Sequence, residues 1–471
     1  MSATSAVAAD AQFDVIVIGS GPAGQKAAIQ AAKAGRRALV VEERARPGGA
    51  CVQRGTIPSK TLRETALALT GLRRRSGGVI DVEPPPDLKL ASLMRRLDEV
   101  VAAHQRFIDD QLRRNEVTVW HGRARLFSPT EVAVRDVGGE VRVAAAPTVV
   151  IAVGSRPRNP PEVPIDHEHI LDSDSILSIP YLPRSLTVVG GGVIACEYAC
   201  IFAALGVDVT ILDRGARPLA FLDAELTAEL TRALERMGAR FRGGVTPRAI
   251  AWDGAATVVT LDDGEEVRAD KLLYCVGREA NLDKLGLQNA GLRANARGLL
   301  DVDGATFETA VRGVYAVGDV IGPPALAATA MEQGRRAVCH ALGLPAPNAL
   351  GAIPVGVYTI PELAMVGLSE EQARDHHGAI AVGRARFAEV ARGQIAAVDD
   401  GLLKLVCDAS GRQILGVHIV GDGAADLVHI GQVAMLAGWS PEAFVDNVFN
   451  FPTLAEAYRI AALDVRRHAA R

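Results

Sequence analysis

The sequence predicts an α/β protein. Two α/β domains with the same order of elements precede a C-terminal α+β domain. A strand, a glycine-rich turn, a helix and a second strand follow one another near the N-terminus, and the same unit begins again about 170 residues later. From Gly351 onward the pattern changes to short strands followed by helices. At roughly 150 residues per domain, the length of 471 residues fits about three domains.

The first unit is predicted from three segments. Phe13–Ile18 is a short apolar, β-branched run and predicts a strand. Gln25–Ala34 has the pattern of a helix, and Ala38–Val41 predicts the second strand. This order is typical of a Rossmann-like dinucleotide-binding domain.

The turn of this unit carries Gly19, Gly21 and Gly24. Glycines at these spacings allow a tight turn, close approach of the backbone to a pyrophosphate, and close packing of the helix on the strand. The helix N-terminus then offers free N–H groups to the anion. Glu42 ends the second strand and can accept hydrogen bonds from an adenosine ribose.

The second unit repeats the first. Ser185–Val189 predicts a strand, Cys196–Leu205 a helix and Val207–Leu212 the next strand. The three positions of the turn are occupied by Gly190, Gly192 and Ala195. A second dinucleotide site is therefore expected.

The residues after the second unit bear on the choice of nucleotide. Asp213 favours a free ribose 2′-hydroxyl, as in NAD(H). Arg214 and Arg217 can meet the 2′-phosphate of NADP(H), or they can be solvated surface residues. The mixture predicts that both nucleotides are accepted.

The C-terminal region predicts an α+β domain. Its strands are expected at Gly401–Cys407 and Ile414–Val420, and its helices at Ala424–Leu436 and Thr453–His468.

Composition excludes two classes of function. The net charge is −4 without a basic block and aromatic residues make up 4%, so a nucleic-acid surface is not expected. No apolar run approaches the ~20 residues of a membrane span. Residues 1–12 lack the pattern of a signal peptide and are predicted to be a disordered leader.

Cysteine and histidine usage predicts neither a disulfide framework nor a metal site. The six cysteines are scattered over the chain, which favours a reducing compartment and hence the cytoplasm. Cys196 and Cys200 lie four residues apart on one helix face, where packing is the expected role. Asp166–His169 has the composition of a ligand cluster but lies in a polar loop, so no metal is predicted.

Four further segments carry a family resemblance: Gly48–Lys60 (GGACVQRGTIPSK), Ala152–Pro157 (AVGSRP), Val276–Arg278 (VGR), and Thr309–Asp319 with its end VYAVGD. With the two glycine turns, they resemble the pyridine nucleotide–disulfide oxidoreductase family, which includes glutathione reductase and lipoamide dehydrogenase. The resemblance covers nearly the whole chain.

This resemblance implies a domain plan with FAD in the first domain, NAD(P)(H) in the second and dimerisation by the third. The FAD domain would comprise residues 13–155 and 278–349, the NAD(P) domain residues 156–277, and the dimerisation domain residues 350–471. A homodimer or a higher homo-oligomer is implied.

The resemblance also assigns site residues. Gly49, Gly154 and Asp319 fall in FAD-binding segments, with Asp319 on the ribitol, and Gly277 falls in a segment of the NAD(P) site. Lys60 is implied to pair with Glu197 near flavin N5, where a cation stabilises negative charge on reduced flavin.

Two departures from the family matter for the chemistry. Cys51 stands at the first position of the family's C-x-x-x-x-C pair, but Thr56 stands at the second, and a hydroxyl cannot form a disulfide. Phe451 occupies the position of the family's C-terminal catalytic His, and a phenyl ring cannot transfer a proton. Cys51 is therefore expected near the flavin without a disulfide role.

The remaining pattern resembles the branch of the family that moves hydride between nicotinamide nucleotides. The implied reaction is NADPH + NAD⁺ ⇌ NADP⁺ + NADH through enzyme-bound FADH2, with ping-pong kinetics. One alternative is an NAD(P)H:quinone or diaphorase-type reductase, and another is a flavin-bearing redox sensor or interaction protein without rapid turnover. A disulfide reductase would need a second thiol from Cys339 or another distant residue.

Overall fold

The computed structural model describes residues 9–75, 90–346, 351–398 and 400–469, without the side chains of residues 69–75 and 90–92. The strands in these ranges are β1 Ala11–Gln12, β2 Val15–Ile18, β3 Ala38–Glu42, β4 Thr118–His121, β5 Arg123–Leu126, β6 Glu131–Arg135, β7 Val141–Ala145, β8 Thr148–Ile151, β9 Ser155–Pro157, β10 Ile170–Leu171, β11 Ser185–Val189, β12 Asp208–Leu212, β13 Arg240–Arg242, β14 Pro247–Trp252, β15 Thr257–Leu261, β16 Glu266–Ala269, β17 Lys271–Tyr274, β18 Arg278–Ala280, β19 Val314–Ala316, β20 Val355–Val357, β21 Leu363–Gly367, β22 Ile380–Arg386, β23 Leu402–Asp408 and β24 Ile414–Val420.

The α-helices in the same ranges are α1 Pro22–Lys33, α2 Gly49–Gln53, α3 Thr56–Arg75, α4 Leu90–Arg114, α5 Val193–Ala204, α6 Ala224–Arg236, α7 Ala327–Ala341, α8 Glu370–His377, α9 Ala391–Ala396, α10 Ala424–Leu436, α11 Glu442–Asp446 and α12 Glu456–His468.

These elements group into two compact units. The first contains Met1–Pro58, Arg96–Arg158 and Gly277–Ala349, and the second contains Ser59–Arg95, Asn159–Val276 and Leu350–Arg471. The second unit thus includes the second glycine turn, the C-terminal region and most of α3.

The first unit is built on a parallel sheet with the strand order β19-β8-β2-β3-β4. Successive residues of β2 alternate between two apolar clusters. Ile16 and Ile18 face the cluster that contains the small sheet of β5 to β7, whereas Val15 and Val17 face the cluster that contains helices α1 and α7. Both faces of the sheet are covered, which explains why β2 is a continuous apolar run.

The prediction of a disordered leader through residue 12 is wrong at its end. Ala11 and Gln12 form β1, which pairs in parallel with Ala144 and Ala145 of β7. The Asp10 carboxylate accepts the N–H of Val143 at 2.7 Å. Backbone pairing with an available sheet edge orders these residues although their side chains are small or polar. The rest of the predicted leader, residues 1–8, lies outside the described residues.

The second unit contains one parallel and two antiparallel sheets. The parallel sheet has the order β10-β17-β11-β12-β13, and the antiparallel sheets have the orders β14-β15-β16 and β20-β21-β24-β23-β22. Helices α10 and α12 contribute to the apolar core of the larger antiparallel sheet. The predicted α/β class with two parallel dinucleotide-type sheets and a C-terminal α+β part is confirmed.

Candidate functional site

The first glycine turn joins β2 to α1 and depends on glycine at two positions. Gly19 has a φ of 103°, and a Cβ there would clash with the carbonyl of Ala152. A Cβ on Gly24 would clash with the carbonyl of Gly19, so only glycine lets the helix approach the strand this closely. Helix α1 begins after Gly21 without a cap from any described side chain. Its first N–H groups therefore remain available to an anion.

A second backbone segment meets this turn at Gly49. Gly49 has a φ of 61°, and a Cβ there would lie 2.7 Å from the Cα of Gly21. The structure thus brings together two residues that were predicted, on separate grounds, to bind FAD. Their contact is backbone to backbone, and it forms a cradle that a side chain would fill.

Glu42 ends β3 beside the same turn and is 6% exposed. Its Oε2 accepts the Ser20 N–H at 3.0 Å and also the Ser20 hydroxyl, while its Oε1 accepts the N–H of Arg44 at 2.8 Å. These bonds fix the carboxylate at the strand end. An ionised carboxylate has about four acceptor sites, so capacity for a ribose hydroxyl remains.

Two of the predicted signature segments pair with each other in the first unit. Strands β9 and β18 form an antiparallel pair in which Ser155 lies opposite Ala280. Gly154 and Gly277 precede these strands with φ values of 67° and 105°. The segments that the sequence separates by more than a hundred residues are therefore one local structure.

Asp319 is tied to this pair. The Ser155 hydroxyl donates to Asp319 Oδ2, and Arg278 Nε donates to the same hydroxyl at 2.8 Å. Arg278 also donates to the Ser155 carbonyl at 2.8 Å. This chain of polar contacts fixes one oxygen of the Asp319 carboxylate.

The second glycine turn, in the second unit, repeats the first geometry. Gly190 has a φ of 118°, and a Cβ there would lie 2.7 Å from the carbonyl oxygen of Cys275. Helix α5 begins after Gly192, again without a cap from a described side chain. Ala195 is fully buried, so its methyl group fits where the first turn has Gly24.

The charged residues after β12 divide into two groups. Asp213 Oδ2 accepts the N–H of Gly215 at 3.2 Å and lies against the turn, 2.6 Å from where a Cβ on Gly191 would be. Arg217 pairs with Glu371 at 3.1 Å and donates to the carbonyls of Ala220 and Leu222. Arg214 is exposed. Arg217 is therefore committed to protein contacts, which leaves Arg214 as the better candidate for a 2′-phosphate.

The predicted pairing of Lys60 with Glu197 is present. Lys60 Nζ lies 2.6 Å from Glu197 Oε2. The Lys60 side chain is 24% exposed and that of Glu197 is 6% exposed. Lys60 lies in the first turns of α3 and Glu197 lies on α5, one turn after Gly192. The pair thus combines a buried carboxylate with a cation that solvent still reaches.

The thiol positions have the following surroundings. Cys51 lies in α2 and Thr56 begins α3, and none of the six cysteines forms a disulfide. Phe451 is 67% exposed. Glu456 begins α12, and its carboxylate accepts the N–H of Thr453 at 3.4 Å, which is a contact typical of a helix N-terminus.

Cys196 and Cys200 are fully buried on α5. Burial raises the pKa of the Cys200 thiol to about 12 and that of Cys196 well above its usual value. Both thiols therefore stay protonated at neutral pH and pack as small apolar groups.

The acidic and histidine-containing loop is held by its own contacts. Asp166 accepts the N–H groups of Glu168, His169 and Ile170, and the ring of His169 stacks on Trp252 at 3.8 Å. In the ranges that the structure describes, no three His, Cys, Asp or Glu residues are grouped as they would be to hold a metal ion. No described helix has the length and apolarity of a membrane span.

The sequence did not predict a second polar centre, which lies in the second unit. Lys404 on β23 contacts Asp223, Glu225 and Glu370 within 3.2 Å, and its side chain is 2% exposed. A lysine inside the predicted apolar strand Gly401–Cys407 was the signal that could have revealed it, because a charge in a buried strand requires partners.

Comparisons with known proteins show which family the chain resembles. Residues 13–334 match the family model of pyridine nucleotide-disulphide oxidoreductases, and residues 353–462 match the model of that family's dimerisation domain. A soluble pyridine nucleotide transhydrogenase of Mycobacterium bovis is 44% identical over 96% of this chain and 97% of its own. That of Hahella chejuensis is 39% identical over 97% of this chain and 98% of its own.

Solved structures are similar over the same extent. LpdA from Mycobacterium tuberculosis is 28% identical with a TM-score of 0.89, covering 97% of this chain and 100% of its own. The HOCl-induced flavoprotein disulfide reductase RclA from Escherichia coli is 26% identical with a TM-score of 0.86, covering 96% and 99%. The chain therefore belongs to the pyridine nucleotide-disulphide oxidoreductase family.

Proposed function

We propose that the chain is an FAD-dependent transhydrogenase that transfers hydride between NADPH and NAD⁺. The observation that carries the proposal is Thr56, which stands where a dithiol relay needs its second cysteine, in a family whose redox fold is otherwise retained. Relatives at 38–44% identity are named soluble pyridine nucleotide transhydrogenases. A family member without the thiol pair retains the capacity for exchange between nucleotides.

FAD is the cofactor, held by the first glycine turn. The uncapped start of α1 and the cradle of Gly21 and Gly49 suit a pyrophosphate, and Glu42 suits the adenosine ribose. Asp319 would bind the ribitol. When bound, FAD accepts a hydride from one nicotinamide nucleotide and returns it to another.

The nicotinamide nucleotides are the substrates, bound at the second turn. The N–H groups at the start of α5 suit their pyrophosphate, and Asp213 suits a free ribose hydroxyl. Arg214 supplies a positive charge for the 2′-phosphate of NADP(H). Use of one turn for both nucleotides requires the first product to leave before the second substrate binds.

Lys60 supplies positive charge for the reduced flavin, and Glu197 holds its ammonium group. Cys51 contributes a polarisable side chain rather than a redox partner. The chain acts as a homodimer or higher homo-oligomer through residues 353–462, which match the dimerisation model. Its location is the cytoplasm, in keeping with six cysteines that form no disulfide.

Steady-state kinetics test this function. Turnover with NADPH and thio-NAD⁺ should give parallel double-reciprocal lines, since product leaves between the two half-reactions. Oxidised glutathione and lipoamide should not be reduced, and Cys51→Ser should retain turnover with thio-NAD⁺. Loss of turnover in this variant, together with reduction of either disulfide, would instead indicate a disulfide reductase.

A further inference from the structure

The Lys60–Glu197 pair has a third member that its proposed role does not use. Tyr358 follows β20, and its ring centroid lies 4.9 Å from Lys60 Nζ. The Tyr358 backbone N–H donates to Glu197 Oε1 at 2.9 Å. Tyr358 therefore contacts both members of the pair, one through its ring and the other through its backbone.

The contacts with Tyr358 add to those between the Lys60 ammonium and the Glu197 carboxylate. Glu197 places one oxygen on Lys60 and the other on the Tyr358 N–H. The Lys60 ammonium meets the Glu197 carboxylate, the Ser59 hydroxyl at 3.3 Å, and the face of the Tyr358 ring. A lysine has four side-chain torsions to restrict, so the ring limits where the ammonium can go.

Tyr358 is itself held in place by the helix that carries Lys60. Arg63, three residues later on α3, donates from Nε to the carbonyl of Thr359 at 2.9 Å and pairs with Glu362 at 3.0 Å. The Arg63 side chain is 4% exposed, and Thr359 is fully buried. The segment that presents the ring is thus fixed by buried polar contacts, which are costly to break.

We propose that Tyr358 is a positioning residue that holds the Lys60 ammonium against Glu197 through a cation–π contact. The inference rests on the proposed function of the Lys60–Glu197 pair. A ring face attracts an ammonium group at this distance, by an amount that corresponds to about a fivefold effect at a partly exposed site. The hydroxyl is not needed for the contact, so phenylalanine should replace tyrosine.

Amine labelling tests the positioning directly, without reference to activity. The holoenzyme is treated with limiting acetic anhydride, and acetylation of Lys60 is quantified by mass spectrometry relative to the exposed Lys33. Tyr358→Leu keeps the backbone N–H but removes the ring, and should raise Lys60 labelling about fivefold. Tyr358→Phe should leave it unchanged, and Tyr358→Met must behave like Tyr358→Leu.

The chain offers a matched control at a second lysine. Tyr181 places its ring 4.6 Å from Lys271 Nζ, so Tyr181→Leu removes the same kind of contact elsewhere in the unit. That variant should leave Lys60 labelling unchanged. Unchanged labelling of Lys60 in both Tyr358→Leu and Tyr358→Met would overturn the proposal.

A double-mutant cycle tests whether the positioning serves the reaction. The rate of flavin reduction by NADPH should fall about fivefold in Tyr358→Leu and recover in Tyr358→Phe. In a Lys60→Met background, Tyr358→Leu should have no further effect, and an equal loss there would overturn the proposal. If Lys60→Met alone leaves the rate unchanged, the function proposed for Lys60 fails, while the labelling result still decides the contact with Tyr358.

Discussion

Two lysines of the second unit, Lys60 and Lys404, are both paired with carboxylates but differ in what surrounds them. Lys404 Nζ lies within 3.2 Å of three carboxylates, and its side chain is 2% exposed. Among the described residues, Lys60 Nζ pairs with one carboxylate, and its side chain is 24% exposed. An ammonium group has three N–H donors, so carboxylates can occupy every donor of Lys404 but leave Lys60 less constrained.

The difference in burial and in number of carboxylate partners gives Lys404 and Lys60 different expected roles. Burial disfavours the charged form of Lys404, but hydrogen bonds with Asp223 and Glu370 outweigh this and raise its pKa. The same contacts join the N-termini of α6 and α8, because Asp223 also accepts the N–H groups of Glu225 and Glu370. Lys404 therefore holds two helices together, whereas Lys60 keeps a partly exposed ammonium group.

The largest effect is expected from removing the buried cation. Lys404→Met would leave the buried Asp223 carboxylate without its cation, and should lower the free energy of unfolding by about 3–5 kcal/mol. Urea unfolding followed by tryptophan fluorescence measures this. Arg466→Met, which breaks an exposed pair with Glu442, is the control and should cost at most about 1 kcal/mol. A loss of less than 1 kcal/mol in Lys404→Met would mean that the cluster is not structural.

Lys60→Met should affect turnover strongly and the free energy of unfolding only modestly. Its unfolding free energy should fall by about 1–2 kcal/mol, because Glu197 keeps the Tyr358 N–H and because the lost ammonium group is partly exposed. Transhydrogenase turnover should fall about 100-fold, through loss of charge stabilisation. Lys33→Met on the exposed end of α1 should change neither quantity. If Lys60→Met is as destabilising as Lys404→Met while turnover persists, the distinction between the two lysines is wrong.

His418 should make the Lys404 cluster sensitive to acid. It is fully buried, and its Nδ1 has no hydrogen-bond partner among the described residues. Burial lowers the pKa of His418, and the positive charge of Lys404 lowers it further. The negative charges of Asp223 and Glu371 raise this pKa but do not outweigh burial. The folded state therefore binds a proton less readily than the unfolded state, and stability should decline as the pH falls below about 6.5.

The slope from this one group is at most about 1.4 kcal/mol per pH unit. His418→Gln keeps a donor for the Leu368 carbonyl at 2.8 Å but does not titrate in this range. The unfolding free energy of this variant should depend less steeply on pH than that of the wild type, between pH 6.5 and the onset of carboxylate protonation. Identical pH profiles would exclude His418 as the source of acid sensitivity.

The smallest effect concerns the edge of the Lys404 cluster. Arg217 pairs with Glu371, whose neighbour Glu370 contacts Lys404. Because the Arg217 guanidinium is already used in this contact, Arg217→Ala should change the KM for NADPH less than twofold. Arg214→Ala should raise the KM for NADPH about tenfold and leave that for NADH unchanged. Steady-state kinetics with each nucleotide decide between them. The reverse order would place Arg217, not Arg214, on the 2′-phosphate.

Local patterns predicted most of the fold. Strand Ser185–Val189 and helix Ala424–Leu436 have the predicted bounds, because apolar periodicity and glycine punctuation act over short distances. β1 was missed, because its order comes from pairing with β7 rather than from its own side chains.

The local geometry of the candidate site is predictable where a motif marks it. The two turns depend on glycine geometry that the sequence displays, and the pairing of Lys60 with Glu197 came from resemblance to a family. Tyr358 and the Lys404 cluster were not predicted, since residues from distant segments meet only in the folded chain.

Anaerobic half-reactions test the central claim, that hydride passes between nucleotides without a thiol relay, most directly. The flavin of the purified protein is reduced with a slight excess of NADPH, and thio-NAD⁺ is then added while flavin absorbance and thio-NADH are followed. We predict stoichiometric formation of thio-NADH at a rate no slower than turnover. Flavin that is reduced by NADPH but stays reduced until a quinone is added would contradict the claim and indicate a quinone reductase.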